Sequence, residues 1–317
     1  MPYPSNFANE WQHRHNQANC LYKQGKFQEY LDCSLENLQL ARSIPDRTKE
    51  GCTLNEIGLA YLSTGRPQQA LAWFQQTLHV AQELNNQQAE ATALSNLGST
   101  YSRLGQFSQA LEQFNLALCL FRALQDAQGE VSTLNDVALI YTQLGEPKRS
   151  LLLQHQILTM RRRLGDFSGE AATLNGIGFA YSALGNHEEA LDFFKAALPI
   201  QQATKNRVGE ATTLNNLAST YGELGRPKQA LLIYHQVLLT RRALQDLAGE
   251  ATTLHNMGCL YSAMSDYRQA LKCYKQSITL YQEVGDRPGE ILTLLNMGKL
   301  YNLRHRRTIA LSCYREA

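Results

Sequence analysis

Residues 210–231 read EATTLNNLASTYGELGRPKQAL, and the unit they open returns with a fixed period, the step from Tyr181 to Tyr221. Continued in both directions, that step reaches Tyr61, Tyr101, Tyr141, Tyr261 and Tyr301 without a slip. The glutamate that begins the stretch recurs as Glu50, Glu90, Glu130, Glu170, Glu210, Glu250 and Glu290. A fixed period between about 20 and 50 residues is the mark of a solenoid, which grows by stacking units on their neighbours. The chain of 317 residues is therefore read as one repeat array, although its length alone would suggest two globular domains.

Each unit carries two helical patterns. In the unit 126–165, Asp126 is placed to cap a first helix and Glu130 to sit in its first turn. Leu134, Val137, Ala138 and Tyr141 follow at i, i+3, i+4 and i+7, one apolar face. Gly145 supplies a left-handed stop, and Pro147 opens a second helix running through Leu151 and Leu158 to Leu164. So short a join makes the two helices an antiparallel hairpin.

The expected organisation is a lead-in over 1–6, a degenerate first unit over 7–46, six full units over 47–286 and a shortened eighth over 287–317. In the first unit Leu21 stands at the tyrosine position and Tyr30 at a small-residue position. The eighth stops partway along its second helix, which suggests a longer natural chain or a paired end.

The unit resembles the tetratricopeptide repeat. That family's Trp-Leu-Gly-Tyr-Ala-Phe-Ala skeleton falls in the third unit on Leu94, Leu97, Gly98, Tyr101, Ala110, Phe114 and Ala117. The period, longer than the common one of the family, and the LNNLA and GDxxGE phrases resemble the arrays of kinesin light chains, Pins-type scaffolds and bacterial signalling proteins. The resemblance implies an all-α, right-handed superhelical solenoid whose first helices line a concave groove and bind a protein or peptide. An alternative it also implies is the sensory region of a larger signalling protease, cyclase or kinase. Truncating one repeating tyrosine, as in Tyr181→Ala, is expected to cost about 3–5 kcal/mol, the range for a buried large aromatic.

The groove-facing columns follow from the register. Three residues before the small Gly/Ala stand Asn55, Ser95, Asn135, Asn175, Asn215, His255 and Leu295. Two before it stand Glu56, Asn96, Asp136, Gly176, Asn216, Asn256 and Asn296. Asparagine is a mediocre residue inside a helix, so eight in fourteen positions ask for a reason. One reason is a ladder whose amides, each both donor and acceptor, bracket the backbone of an extended peptide. The other is that these amides bridge adjacent first helices or are merely solvated. Leu139 and Phe179, one residue after the small position, would offer apolar selectivity, and Arg103 is among the few charges on this face.

Other chemistry finds little support. The charge balance of +2 lacks the basic stripe of a nucleic-acid binder. There is no apolar run long enough to span a membrane, and no signal peptide. Seven unpaired-looking cysteines suit a reducing, cytoplasmic setting. No catalytic constellation, metal-ligand spacing or cofactor fingerprint appears, so neither an enzyme nor a cofactor is expected. The arginines at 161–163 and 241–242 are expected to complement the negative ends of second helices.

Overall fold

A computed structural model describes residues 4–317, with side chains from Phe7 onward. Among the described residues there are sixteen α-helices and no strand. They pair as α1 (Pro4–Lys23) with α2 (Phe27–Ser43), α3 (Arg47–Ser63) with α4 (Pro67–Glu83), and α5 (Gln87–Arg103) with α6 (Phe107–Ala123). Then come α7 (Ala127–Gln143) with α8 (Pro147–Leu164), α9 (Phe167–Ala183) with α10 (His187–Ala203), and α11 (Arg207–Glu223) with α12 (Pro227–Ala243). The last two hairpins are α13 (Leu247–Ala263) with α14 (Tyr267–Val284), and α15 (Arg287–Leu303) with α16 (Arg307–Glu316). Two compact units divide the chain, Met1–Met160 and Arg161–Ala317, with the boundary inside α8. Helix α1 already begins at Pro4, so the part of the expected lead-in that is described is helical; Met1 to Tyr3 lie outside the described residues.

Local chemistry sets these boundaries. The carboxylate of Asp126 accepts the amide of Gly129 at 2.9 Å, and Asp166, Asn206, Asp246 and Asp286 cap α9, α11, α13 and α15 in the same way. Such a cap satisfies one of the four amides a helix start leaves without a partner. Gly145 turns the chain at φ 73°, as the sequence anticipates. Between hairpins the same left-handed turn falls on non-glycine residues as well, at Asn85, Gln125, Lys205 and Gln245.

In hairpins two, three, five, six and seven the interior is built by a small residue on the first helix facing a large one sixteen positions later. Phe74, Phe114 and Phe194 are fully buried, as are Tyr234 and Tyr274, at 0–2% exposure. They lie against Gly58, Gly98, Gly178, Ala218 and Gly258, and at the glycines there is no room for a methyl between helix and ring. The degenerate first hairpin solves the same problem one turn earlier, with buried Tyr30 and Ser34 in place of Ala70 and Phe74.

The repeating tyrosines differ from expectation. All seven are only partly buried. Tyr61 stacks on Trp73 and Tyr181 on Phe193, with centroids 6.4 and 5.3 Å apart. Arg66, Arg149 and Arg226 lie over Tyr61, Tyr141 and Tyr221. The cost of about 3–5 kcal/mol for truncating a buried ring therefore belongs to the second-helix aromatics and not to Tyr181.

The recurring glutamate has a partner as well as a helix terminus. Each is bound by the residue eight positions earlier, near the end of the preceding second helix. The pairs are Arg42–Glu50, Gln82–Glu90, Arg122–Glu130, Arg162–Glu170, Gln202–Glu210, Arg242–Glu250 and Gln282–Glu290, at 2.7–3.0 Å. Arg162 and Arg242 thus join successive hairpins in addition to complementing a helix end. Arg161 and Arg241 reach Asp166 and Asp246, and Arg241 is buried.

Candidate interaction face

First helices of successive hairpins touch directly: α3 with α5 and α5 with α7 in one unit, and α9, α11, α13 and α15 in sequence in the other. This brings the two polar columns side by side, so that a residue of the first column meets the second-column residue of the next hairpin. In the first unit Asn96 Nδ2 donates to Asn55 Oδ1 at 2.7 Å. In the second, Asn216 Nδ2 donates to Asn175 Oδ1 at 3.3 Å, and Asn296 Nδ2 approaches His255 Nε2 at 3.5 Å. These three contacts bridge adjacent first helices, one of the arrangements the sequence allows.

The remaining predicted residues divide by burial. Asn135 is exposed and Asn256 half-buried, whereas Asn215 is buried at 4% exposure, and its Oδ1 accepts from no protein group. Leu139 and Phe179 are open to solvent, at 54% and 62% exposure, and Arg103 is exposed. Asp136 accepts from Ser99 Oγ at 3.0 Å. Burial holds the Asp136 carboxyl above its usual range, against the opposing effects of the Ser99 bond and Arg103.

Sequence reading missed two polar sites on this face. His15 Nδ1 and Glu56 Oε1 lie 2.5 Å apart, joining the same two columns one hairpin earlier. Burial pushes Glu56 up to about 8 and His15 below its ordinary value, so neither group is charged at neutral pH. Trp11 stacks on His15 at 4.9 Å, and its indole donates to Thr53 Oγ1. Glu56 is consequently not a free charge on the face. The second site surrounds His255, which the sequence places in the first polar column. It is buried, its Nδ1 lies 2.8 Å from Thr293 Oγ1, and Cys259 Sγ approaches its Nε2 at 3.6 Å. Burial raises the Cys259 thiol above its ordinary value, against the hydrogen bonds from Tyr274 and Asn296. The basic residues near the C-terminus also have a setting: Arg304 stacks over Tyr267 and shares an open hollow with Arg268, Lys272 and Lys275.

Among the described residues no group of three or more His, Cys, Asp or Glu side chains is placed to hold a metal ion. No described helix is long and apolar enough to cross a membrane.

Helical hairpins of constant period, stacked first helix to first helix within each unit, define an all-α repeat solenoid. The tetratricopeptide repeat model matches in seven overlapping stretches, 11–83, 52–123, 89–163, 129–203, 169–243, 209–283 and 249–317, and the chain belongs to that family. No curated protein matches it significantly in sequence. Among solved structures it is similar to the apo form of the quorum sensor NprR from B. thuringiensis, at 16% identity and a TM-score of 0.74, over 96% of this chain and 85% of that one. It is similar to a Rap protein complexed with Competence and Sporulation Factor, at 15% identity and a TM-score of 0.60, over 97% and 96% of the two chains. It is also similar to the STAND protein with a tetratricopeptide repeat sensor, PH0952 from Pyrococcus horikoshii, at 14% identity and a TM-score of 0.73, over 99% of this chain and 50% of that one. At such identities the likeness is one of fold.

Proposed function

We propose that the chain is a protein-interaction scaffold whose first-helix face binds an extended or helical segment of a partner protein. The observation that carries this reading is the pairing of amides across hairpins. An Asn side chain offers two N–H groups and two acceptor lone pairs, and the bridge to a neighbour uses one of these. The remainder is held in a fixed orientation on a partly open surface, and exposed Leu139 in one unit and Phe179 in the other belong to the same set of first helices. The quorum sensor and the Rap complex, which share this fold, support the assignment to a binding role. The near-neutral charge disfavours nucleic acid, and seven free cysteines fit a reducing cytoplasm.

A pull-down with mass spectrometry tests it, comparing the wild type with an Asn135→Ala/Asn175→Ala/Leu139→Ser/Phe179→Ser variant. Loss of one specific protein from the variant supports the reading; an unchanged set of captured proteins overturns it. A second reading, a sensory region within a larger signalling protein, is favoured by the likeness to the repeat sensor of the STAND protein. The length of the natural open reading frame decides between a free-standing scaffold and that arrangement.

A further inference from the structure

One position near the end of the second helix carries a large buried side chain in several hairpins: Phe121, Gln201, Arg241 and Tyr281. Phe121, Arg241 and Tyr281 each lie against the two first helices that flank them. Phe121 and Tyr281 are 4% and 6% exposed, and each ring covers the glycine eight residues on, Gly129 or Gly289, where a methyl would collide with it. Tyr281 also donates its hydroxyl to Thr252 Oγ1 at 3.1 Å. In hairpin two the same position holds Ala81, and the following glycine is replaced by Ala89. In hairpin one it holds Ala41, but there Trp11 and Lys49 stand at the neighbouring positions and pack on each other. Hairpin two has no such substitute, because Gly51 occupies the place of Trp11.

The result is a cavity of about 270 Å³ between α3 and α5, floored by Thr77, Val80 and Ala81 of α4 and walled by Gly51, Cys52 and Ala89. Asn55 of the paired amide column also lines it, so it opens beside the interaction face. Apolar cavities of about 150 Å³ are known to accept benzene. We infer that this cavity is a binding site for an aromatic ring, that of a phenylalanine or tyrosine side chain on the partner segment. Its in-chain counterparts, Phe121 and Tyr281, show what fits. Arginine is disfavoured, because the carboxylate that holds Arg241, Asp246, corresponds here to neutral Asn86, and Thr212, near the same guanidinium, corresponds to Cys52. The inference relies on the segment-binding reading only for where the ring comes from; the cavity's affinity for a ring is measured without any partner.

The test uses the full chain with ¹³C-labelled alanine and valine methyl groups, titrated with N-acetyl-phenylalaninamide, N-acetyl-argininamide and N-acetyl-alaninamide. The phenylalanine amide is expected to shift Val80, Ala81 and Ala89 saturably, with a dissociation constant on the order of 1 mM for a ligand of this size. The other two should bind at least about tenfold more weakly. In an Ala81→Phe/Ala89→Gly variant, which rebuilds the arrangement of Phe121 and Gly129, the Val80 response should vanish while helical circular dichroism is retained. Equal binding of the alanine and phenylalanine amides, or undiminished binding by the filled variant, overturns the site. A partner captured equally by the filled variant, after ring binding is lost, overturns the ring's assignment to that partner and leaves the segment-binding reading standing.

Discussion

Gly98→Ala is expected to destabilise the third hairpin even though alanine is the better helix former. A Cβ at this position would lie 2.7 Å from Phe114 Cδ1 and Cε1 and 2.9 Å from Cγ. Carbon atoms rest at about 3.5–4.0 Å, so the ring would have to withdraw by about 1 Å. It has nowhere open to go, since Phe114 is fully buried among Ala110, Val137 and Ile140. Overpacking of this kind costs about 1–3 kcal/mol, and the gain from replacing a helical glycine returns up to about 1 kcal/mol. With the full offset the net loss should be up to about 2 kcal/mol, confined to α5 and α6 and their neighbours, as expected when stability is summed over units.

Amide hydrogen exchange read by mass spectrometry reports local opening, and suits an array that need not unfold in one step. A double-mutant cycle with Phe114→Leu completes the test, because the smaller side chain makes room for the methyl. The cycle should show a coupling of about 1 kcal/mol or more, with Phe114→Leu less damaging in the alanine background. The sequence holds a counterpart of this compensation, since Ala138 and Gln154 occupy the positions that Gly98 and Phe114 hold in the preceding hairpin. It also contains the counter-case, Ala218 with buried Tyr234. Greater protection in Gly98→Ala, with an additive cycle, would refute the reasoning and show that the hairpin accommodates the methyl.

Two further perturbations test the electrostatics. Glu56 is held up at about 8, so the folded chain keeps a proton that the unfolded chain, with a carboxyl near 4.5, has lost. Stability should therefore fall as pH rises through that window, by up to about 1.4 kcal/mol per pH unit from this group. His15, lowered by the same burial, acts oppositely below its ordinary value of 6.5, so the comparison belongs between about pH 7 and 8. Glu56→Gln should flatten the decline in thermal midpoint there, and an unchanged slope would exclude a buried neutral Glu56. Arg122→Ala removes one inter-hairpin pair whose arginine is half exposed, and should cost less than about 1 kcal/mol by urea titration. The difference should shrink further at about 0.5 M salt, since exposed pairs are screened.

The period made the helices, the caps and the array legible, because each rests on local chemistry repeated from unit to unit. Asp126 with Gly129, and Gly145 with Pro147, are readable within one unit. The link from Arg122 to Glu130 was equally available, since arginine or glutamine recurs eight positions before every repeating glutamate. The half-buried state of Tyr181 was not, because a period marks a position as structurally used without saying how deeply. Nor was the neutral pair of His15 and Glu56, which depends on two helices of different hairpins meeting side by side. Ala81 could have been noticed as a missing large residue, yet only the absence of a second filler, at Gly51, turns that into a cavity.

A shared offset, one position more than the repeat, unites contacts that look unrelated in the sequence. His15–Glu56, Asn55–Asn96, Asn175–Asn216 and His255–Asn296 all join the first polar column of one hairpin to the second column of the next. Bridging and ligand binding therefore need not compete for the same amides. A sideways bond holds one helix against the next and fixes the side chain's rotamer, which reduces the entropy a ligand must remove on binding. Alanine at Asn96 should accordingly weaken hairpin stacking and partner affinity together, whereas alanine at exposed Asn135 should affect affinity alone. If Asn135→Ala lowered the protection of α7 as much as Asn96→Ala lowers that of α5, the distinction between bridged and open amides would be wrong.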